Sequence, residues 1–251
     1  MSDIYKAPEA NLANGTETDD SGSIEKGIAG DYSFSIGETI SEAWERTSGN
    51  KGTIWVGAIL YLVASMGISF VITLITGGGA AFSLESGQGS TGLGLLGLLA
   101  QLITTVACAP LGVGMAMIGI KIARDEQTSG TEVFSHFDKI VPLGIATIVM
   151  YLLVGVGFLL LVIPGIYLLV AYILALPLIA DRNLGPWAAL EASRKAISKN
   201  WFAFLGFLIV LLLIYIAGGL ALLIGLIWAL PLGSIAYGVA YRKVFGSPNH
   251  I

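Results

Sequence analysis

The sequence predicts an all-α, polytopic membrane protein. It is expected to have six transmembrane helices, built as three repeats of an interfacial helix plus a hairpin, with both termini cytoplasmic. Three observations point there: composition, the placement of Lys and Arg, and a recurring pattern of Pro-Leu and small residues. Of 251 residues, 55% are hydrophobic and only 12% charged, against about 25% charged in an ordinary soluble domain. Mean hydropathy is +0.81. A helix needs roughly 20 apolar residues to cross about 30 Å of hydrocarbon, and several runs here are that long. All thirteen Lys and Arg fall into four segments. These are the N-terminal side (Lys6, Lys26, Arg46, Lys51), the loop with Lys121, Arg124 and Lys139, the loop with Arg182, Arg194, Lys195 and Lys199, and the C-terminus with Arg242 and Lys243. Basic residues are retained on the cytoplasmic side, so alternate loops and both ends belong there. The opposite face holds "GGGAAFSLESGQGSTG", with Glu85 its one charge, and two tight turns.

The elements follow in order. Residues 1–34 form an acidic tail rich in Ser, Gly, Thr and Asn, which predicts disorder. Seven acids face Lys6 and Lys26 over residues 1–35. The tail reads first as a solubilising leader, with capture of a protein partner as the alternative. The first apolar run starts near Gly52, so no cleavable N-terminal signal is expected. Six spans are predicted at about 52–76, 94–122, 141–162, 165–181, 201–217 and 220–242. The hairpin between the third and fourth turns either at Gly155–Gly157 or at Pro164–Gly165, since Gly and Pro both interrupt a helix. The membrane domain covers 35–245, and 246–251 is a short C-terminal tail.

Three amphipathic segments precede the span pairs. "SIGETISEAWERTSGNK" opens with a capping box, Ser35 to Glu38, and its apolar face is Ile36, Ile40, Ala43, Trp44 and Thr47. "SGTEVFSHFDKIV" repeats that spacing with Ser129 and Glu132. In "NLGPWAALEASRKAISKNW", Pro186 suits a first helical turn. There Trp187, Leu190, Ile197 and Trp201 share one face and Glu191, Lys195 and Lys199 another. Such helices are expected in the headgroup plane. Candidate headgroup contacts are Trp44, Arg46, Lys51, Lys139, Trp187, Arg194, Lys195, Lys199 and Trp201, with anionic lipid headgroups as the expected partners.

The second helix of each hairpin carries Pro-Leu, at Pro110, Pro177 and Pro231. Small residues recur every fourth position around them: Ala100, Thr104, Cys108, Gly112, Ala116 in one, and Ala217, Ala221, Gly225, Ala229, Gly233 in another. Small stripes let helices approach closely in lipid, and neighbours can satisfy the carbonyl that a mid-span proline frees. Pro110, Pro177, Pro231, Gly112, Gly233, Cys108 and Ala229 are therefore the expected packing and kink positions. The three units are about 35–123, 129–181 and 185–244, with their second helices meeting centrally.

Chemistry is thin. Cys108, the single cysteine, excludes an internal disulfide and reads as a small packing residue. Asp181, Arg182, Lys121 and Arg242 stand at span ends, not centrally, where an ionisable group would mark a functional site. Polarity within the spans is limited to groups such as Gln101, Thr104, Thr105, Ser65, Ser69, Thr73 and Thr147. His136 and His250 lack metal spacing, and no phosphate loop, nucleophile elbow or dinucleotide fingerprint occurs. No enzyme activity, cofactor, metal or nucleic-acid partner is expected.

Over "IPGIYLLVAYILALPLIADRNLGPWAALEASRKAISKNWFAFLG" the chain resembles the membrane domain fused to some bacterial glycerophosphoryl diester phosphodiesterases, and its stand-alone relatives. The resemblance rests on Ile163-Pro164-Gly165, Pro177, Gly185, Ala189-Leu190, Ser193 and Trp201. It implies a multi-pass protein of the bacterial inner membrane, and lipid-linked biology by association. It carries over no catalytic residue, because catalysis in the fused relatives belongs to a separate soluble domain. The expected function is a non-catalytic membrane protein that organises a partner or supports envelope lipid homeostasis. A transporter or lipid-handling protein for an apolar or amphipathic substrate is the alternative.

Overall fold

The computed structural model describes residues 23–76, 91–220 and 224–247, with side chains from residue 97 in the second stretch. The predicted tail up to residue 22, the segment 77–90 with Glu85, Ala221 and His250 lie outside the described residues. The described chain is helical, without strands. We label the helices α1 (Ile24–Ala29), α2 (Ile36–Ile75), α3 (Thr91–Ala123), α4 (Ile140–Leu160), α5 (Val162–Ala171), α6 (Ala175–Arg182), α7 (Pro186–Lys199), α8 (Trp201–Leu220) and α9 (Leu226–Phe245). Among them are five stretches long and apolar enough to cross a membrane: Ile36–Ile75, Gly97–Ala123, Gly130–Leu160, Val162–Arg182 and Trp201–Leu220. Their outward faces leave large apolar side chains uncovered, among them Val63, Met66 and Phe70 on α2 and Phe202, Leu212 and Leu213 on α8. Apolar surface on that scale is foreign to a water-exposed monomer and is the build of a multi-pass membrane protein.

α2 joins the first amphipathic segment to the first span. Ser35 caps it, its Oγ accepting from the Glu38 amide at 3.5 Å. The helix breaks at Ser48 and Gly49, where Gly49 takes φ +93°, a conformation open to glycine at little cost. The second amphipathic segment differs from expectation. It forms two 3-10 turns, Gly130–Phe134 and Phe137–Lys139, and Ser129 makes no side-chain cap. Val133 is fully buried, and its backbone lies where a Cβ on Gly114 would stand. Tertiary contact with α3 thus replaces a free amphipathic helix.

The tail also ends earlier than the predicted residue 34. Ser23 caps α1, and Phe34 stacks on Phe204 with centroids 4.3 Å apart. The Tyr32 hydroxyl donates to the Ala196 carbonyl at 2.8 Å. Residues 23–34 are therefore packed, because aromatic burial overrides their polar composition.

The third and fourth spans turn at a single extended residue, Leu161 (φ −161°, ψ 153°). This lies between the two predicted positions. Both glycine signals instead pack across the hairpin: a Cβ on Gly157 would stand 3.0 Å from the Gly165 Cα.

The core is made by α2, α3 and α9, which pack mutually. The closest approach of α3 and α9 falls at Gly119 and Gly238. A Cβ on Gly238 would collide with the Gly119 carbonyl, and one on Gly119 with the Ser234 carbonyl. In α9 the small stripe serves its own hairpin. Gly225 and Ala229 lie against Gly218, and Gly233 meets the Tyr215 ring.

Candidate functional site

A cavity of ≈530 Å³ lies between α3, α4 and the α5–α6 pair, with Tyr61 of α2 and Tyr237 of α9 completing its wall. Thr104, Cys108, Gly112 and Ala116 form its α3 side. The stripe expected to pack a helix therefore faces open space here. Gly112 has no atom within 4 Å of the position a Cβ would take. α4 does touch α3, at Gly144 and Val106, but the small residues beyond that contact leave room.

The opposite wall contains a helix break. The fourth span is two helices, α5 and α6, interrupted at 172–174. The Ala175 amide bonds the Tyr172 carbonyl at 3.0 Å, not Ala171 four residues back. The Ala171 carbonyl is taken by the buried Ser193 hydroxyl of α7, at 2.7 Å. Pro177 has no N–H for the Ile173 carbonyl. The Tyr237 hydroxyl of α9 donates to that oxygen at 2.7 Å. The same device serves Pro231, whose freed carbonyl, on Ile227, accepts from the Trp55 indole of α2 at 3.2 Å. Pro110 is buried within α3.

The polarity of the cavity is uncharged. No carboxylate, imidazole, ammonium or guanidinium of the described residues lines it. The Thr104 and Thr105 hydroxyls donate to their own helix, to Ala100 and Gln101 carbonyls at 2.8 Å. Thr147 of α4 behaves differently. It is 3% exposed, and its Oγ1 has no hydrogen-bond partner among the described residues.

Charge collects instead where α3, α6 and α9 end. Arg124 makes a two-pronged pair with Asp181, at 2.8 and 2.9 Å. Their side chains are 1% and 4% exposed. Tyr241 donates to the same carboxylate at 2.8 Å, and Arg182 adds a contact at 2.9 Å. Arg124 and Arg182 also donate to the Gly246 carbonyl past the end of α9. Beside this, Arg242 grips Glu42 with bonds of 2.7 and 2.9 Å and donates to the Ala123 carbonyl. The sequence displays these charges but not their pairing, since the partners, apart from adjacent Asp181 and Arg182, lie 57 to 200 residues apart.

The headgroup candidates divide accordingly. Trp44 and Trp187 are 56% and 65% exposed. Arg46 is bound by Glu42, Asp125 and the Ile122 carbonyl. Lys139 caps the end of α6 through the Ala180 carbonyl and Asn183. Lys51 sits over the Trp228 ring at 5.0 Å. Trp201 donates to the Tyr167 carbonyl. Glu191 holds Arg194 and Lys195, and the Arg194 hydrogen bonds keep the Glu191 carboxyl below its usual range. Lys199 packs its stem against Gly30. The apolar face of α7, with Ala189, Leu190, Ala196 and Ile197, is buried in protein.

Among the described residues no group of three His, Cys, Asp or Glu is placed to hold a metal ion. No protein-family model, curated protein or solved structure matches the chain.

Proposed function

We propose that this chain is a non-catalytic membrane protein that supports lipid homeostasis by holding an apolar or amphipathic molecule in the cavity. The observation that carries it is the cavity itself. Its volume lies within the roughly 300–1,000 Å³ of ligand sites, and apolar walls with a few polar groups are their usual lining. The architecture proposed is six spans in three repeated units, with α9 the sixth span and both termini cytoplasmic. Supporting this, α3, α6 and α9 end together in one cluster of ion pairs, so the second helix of each unit returns to the basic end. The resemblance over 163–206 supports a setting in the bacterial inner membrane. Trp44, Trp187 and Lys199 are the side chains best freed for headgroups. Capture of a protein partner rests on the tail, which lies outside the described residues up to residue 22.

Isolation in native nanodiscs, followed by mass spectrometry of lipids and proteins, tests the reading. A lipid enriched over the surrounding membrane, and lost in Gly112→Leu, is expected. Bulk-like lipid in both forms refutes it. A second reading, transport, is favoured by the interrupted α5–α6 helix, since discontinuous helices line transport sites. It requires flux in proteoliposomes that Gly112→Leu abolishes.

A further inference from the structure

We propose that the cavity has a gate: the ion pairs joining the ends of α2, α3, α6 and α9 close it on that side, and parting them opens it there. This rests on the cavity-binding reading above and adds how the cavity is reached. The cavity and the ion pairs share their helices. The lining runs to Ala116 on α3, Pro177 on α6 and Tyr237 on α9. Arg124, Asp181 and Tyr241, which bond one another, stand eight, four and four residues further along, one to two helical turns. The turn between is fully buried, with Ile120, Leu178 and Val239 at 0% exposed. A thin apolar layer and the ion pairs beyond it therefore form one end wall of the cavity.

The part of that wall able to move is α6. It is eight residues long, set off by the break at 172–174 on one side and by Asn183 in the left-handed region (φ 53°) on the other. Element ends that absorb a backbone change are where hinges lie. α9 links its two attachments. Tyr237 lines the cavity and holds the Ile173 carbonyl at the break, and Tyr241, one turn on, holds the Asp181 carboxylate. An occupant pressing on Tyr237 thus acts on the helix that carries both. The energetics suit a gate. Burying Arg124 and Asp181 costs hydration that their attraction only roughly repays, so a form in which water reaches the parted ions lies close in free energy.

The chain supplies its own probe, since Cys108 is its single cysteine and lines the cavity. The test measures alkylation of Cys108 in the full chain in sealed membrane vesicles, by a charged, impermeant maleimide and by N-ethylmaleimide. Exposed Glu45 lies between Glu42 and Arg46 of the ion pairs, so Glu45→Cys in a Cys108→Ala chain reports the orientation in which that end faces the reagent. In that orientation native Cys108 should react slowly with the impermeant reagent. Asp181→Asn deprives buried Arg124 of its countercharge, and the rate should rise about tenfold as the open form gains population. Glu42→Gln should raise it too, and its pair with Arg242 is only partly buried, so this form serves where Asp181→Asn does not fold. Arg124→Met with Asp181→Leu keeps the wall apolar and should stay as slow as the native chain. Melting above the labelling temperature separates opening from unfolding. Native Cys108 reacting as fast as the Glu45→Cys control, or a rate unchanged in both single variants, overturns the gate and leaves cavity binding intact. Equal opening in the apolar double variant also overturns it, because loosened packing then suffices. No reaction of Cys108 even with N-ethylmaleimide, in any form, overturns the cavity-binding reading and the gate together.

Discussion

Replacing Tyr237 by Phe removes one hydroxyl and leaves the Ile173 carbonyl without its donor. Pro177 cannot supply one, so the cost should depend on the proline. The Tyr237 bond is 2.7 Å long and crosses from α9 to the break between α5 and α6. Bonds of that kind are worth about 0.6 kcal/mol on average, with a ceiling near 1.7. This one sits near the upper end, because the acceptor has no intrahelical alternative, and about 1–1.5 kcal/mol is expected. Pro177→Ala restores an N–H four residues after Ile173. In that background Tyr237→Phe should cost nearly nothing, giving a coupling energy of about 1 kcal/mol. The four forms can be compared in mild detergent by denaturant titration, read through tryptophan fluorescence and checked for reversibility by refolding. If Tyr237→Phe costs as much in the Pro177→Ala background as in the native chain, the tyrosine does not substitute for the missing amide, and the reasoning is refuted.

Further outcomes follow from the same geometry. Trp55→Phe should cost about 0.5 kcal/mol through the Ile227 carbonyl, less than Tyr237 because the bond is longer and exposed; the loss should vanish in Pro231→Ala, and its persistence in the titration would count against the device. Asp181→Asn strands Arg124 at 1% exposure and should destabilise by about 3–5 kcal/mol. The double change Arg124→Met with Asp181→Leu should cost less than that single one, and the reverse order in unfolding experiments would sink the argument. Gly238→Ala drives a methyl into the Gly119 carbonyl and should cost about 1–3 kcal/mol. Gly112→Ala, facing open cavity, should be close to neutral in the same melts, and equal losses would show that the two glycines play one role.

Legibility varied with the range of the interaction. The apolar runs and the prolines at 110, 177 and 231 are local signals, and they can be read residue by residue. The tail boundary was misplaced because Tyr32 and Phe34 find partners on α7 and α8, the first of them 164 residues away. The Ser129 segment offers capping-box spacing but forms 3-10 turns, since contact of Val133 with Gly114 decides its path. The prolines did carry a usable clue. Each freed carbonyl needs a donor on a facing helix, and tyrosine and tryptophan in apolar spans are the natural suppliers.

By itself the sequence determined a helical chain with several runs apolar enough to cross a membrane, because hydrophobic run length is a property of single segments in a bilayer. Only the tertiary structure decided what the small residues do. Gly119 and Gly238 meet backbone to backbone, whereas Gly112 opens on a cavity, and nothing in a four-residue period distinguishes a filled groove from an empty one. The pairing of Arg124 with Asp181 and the unpartnered hydroxyl of Thr147 were equally tertiary decisions. Each depends on which faces of distant helices come together, and packing alone sets that.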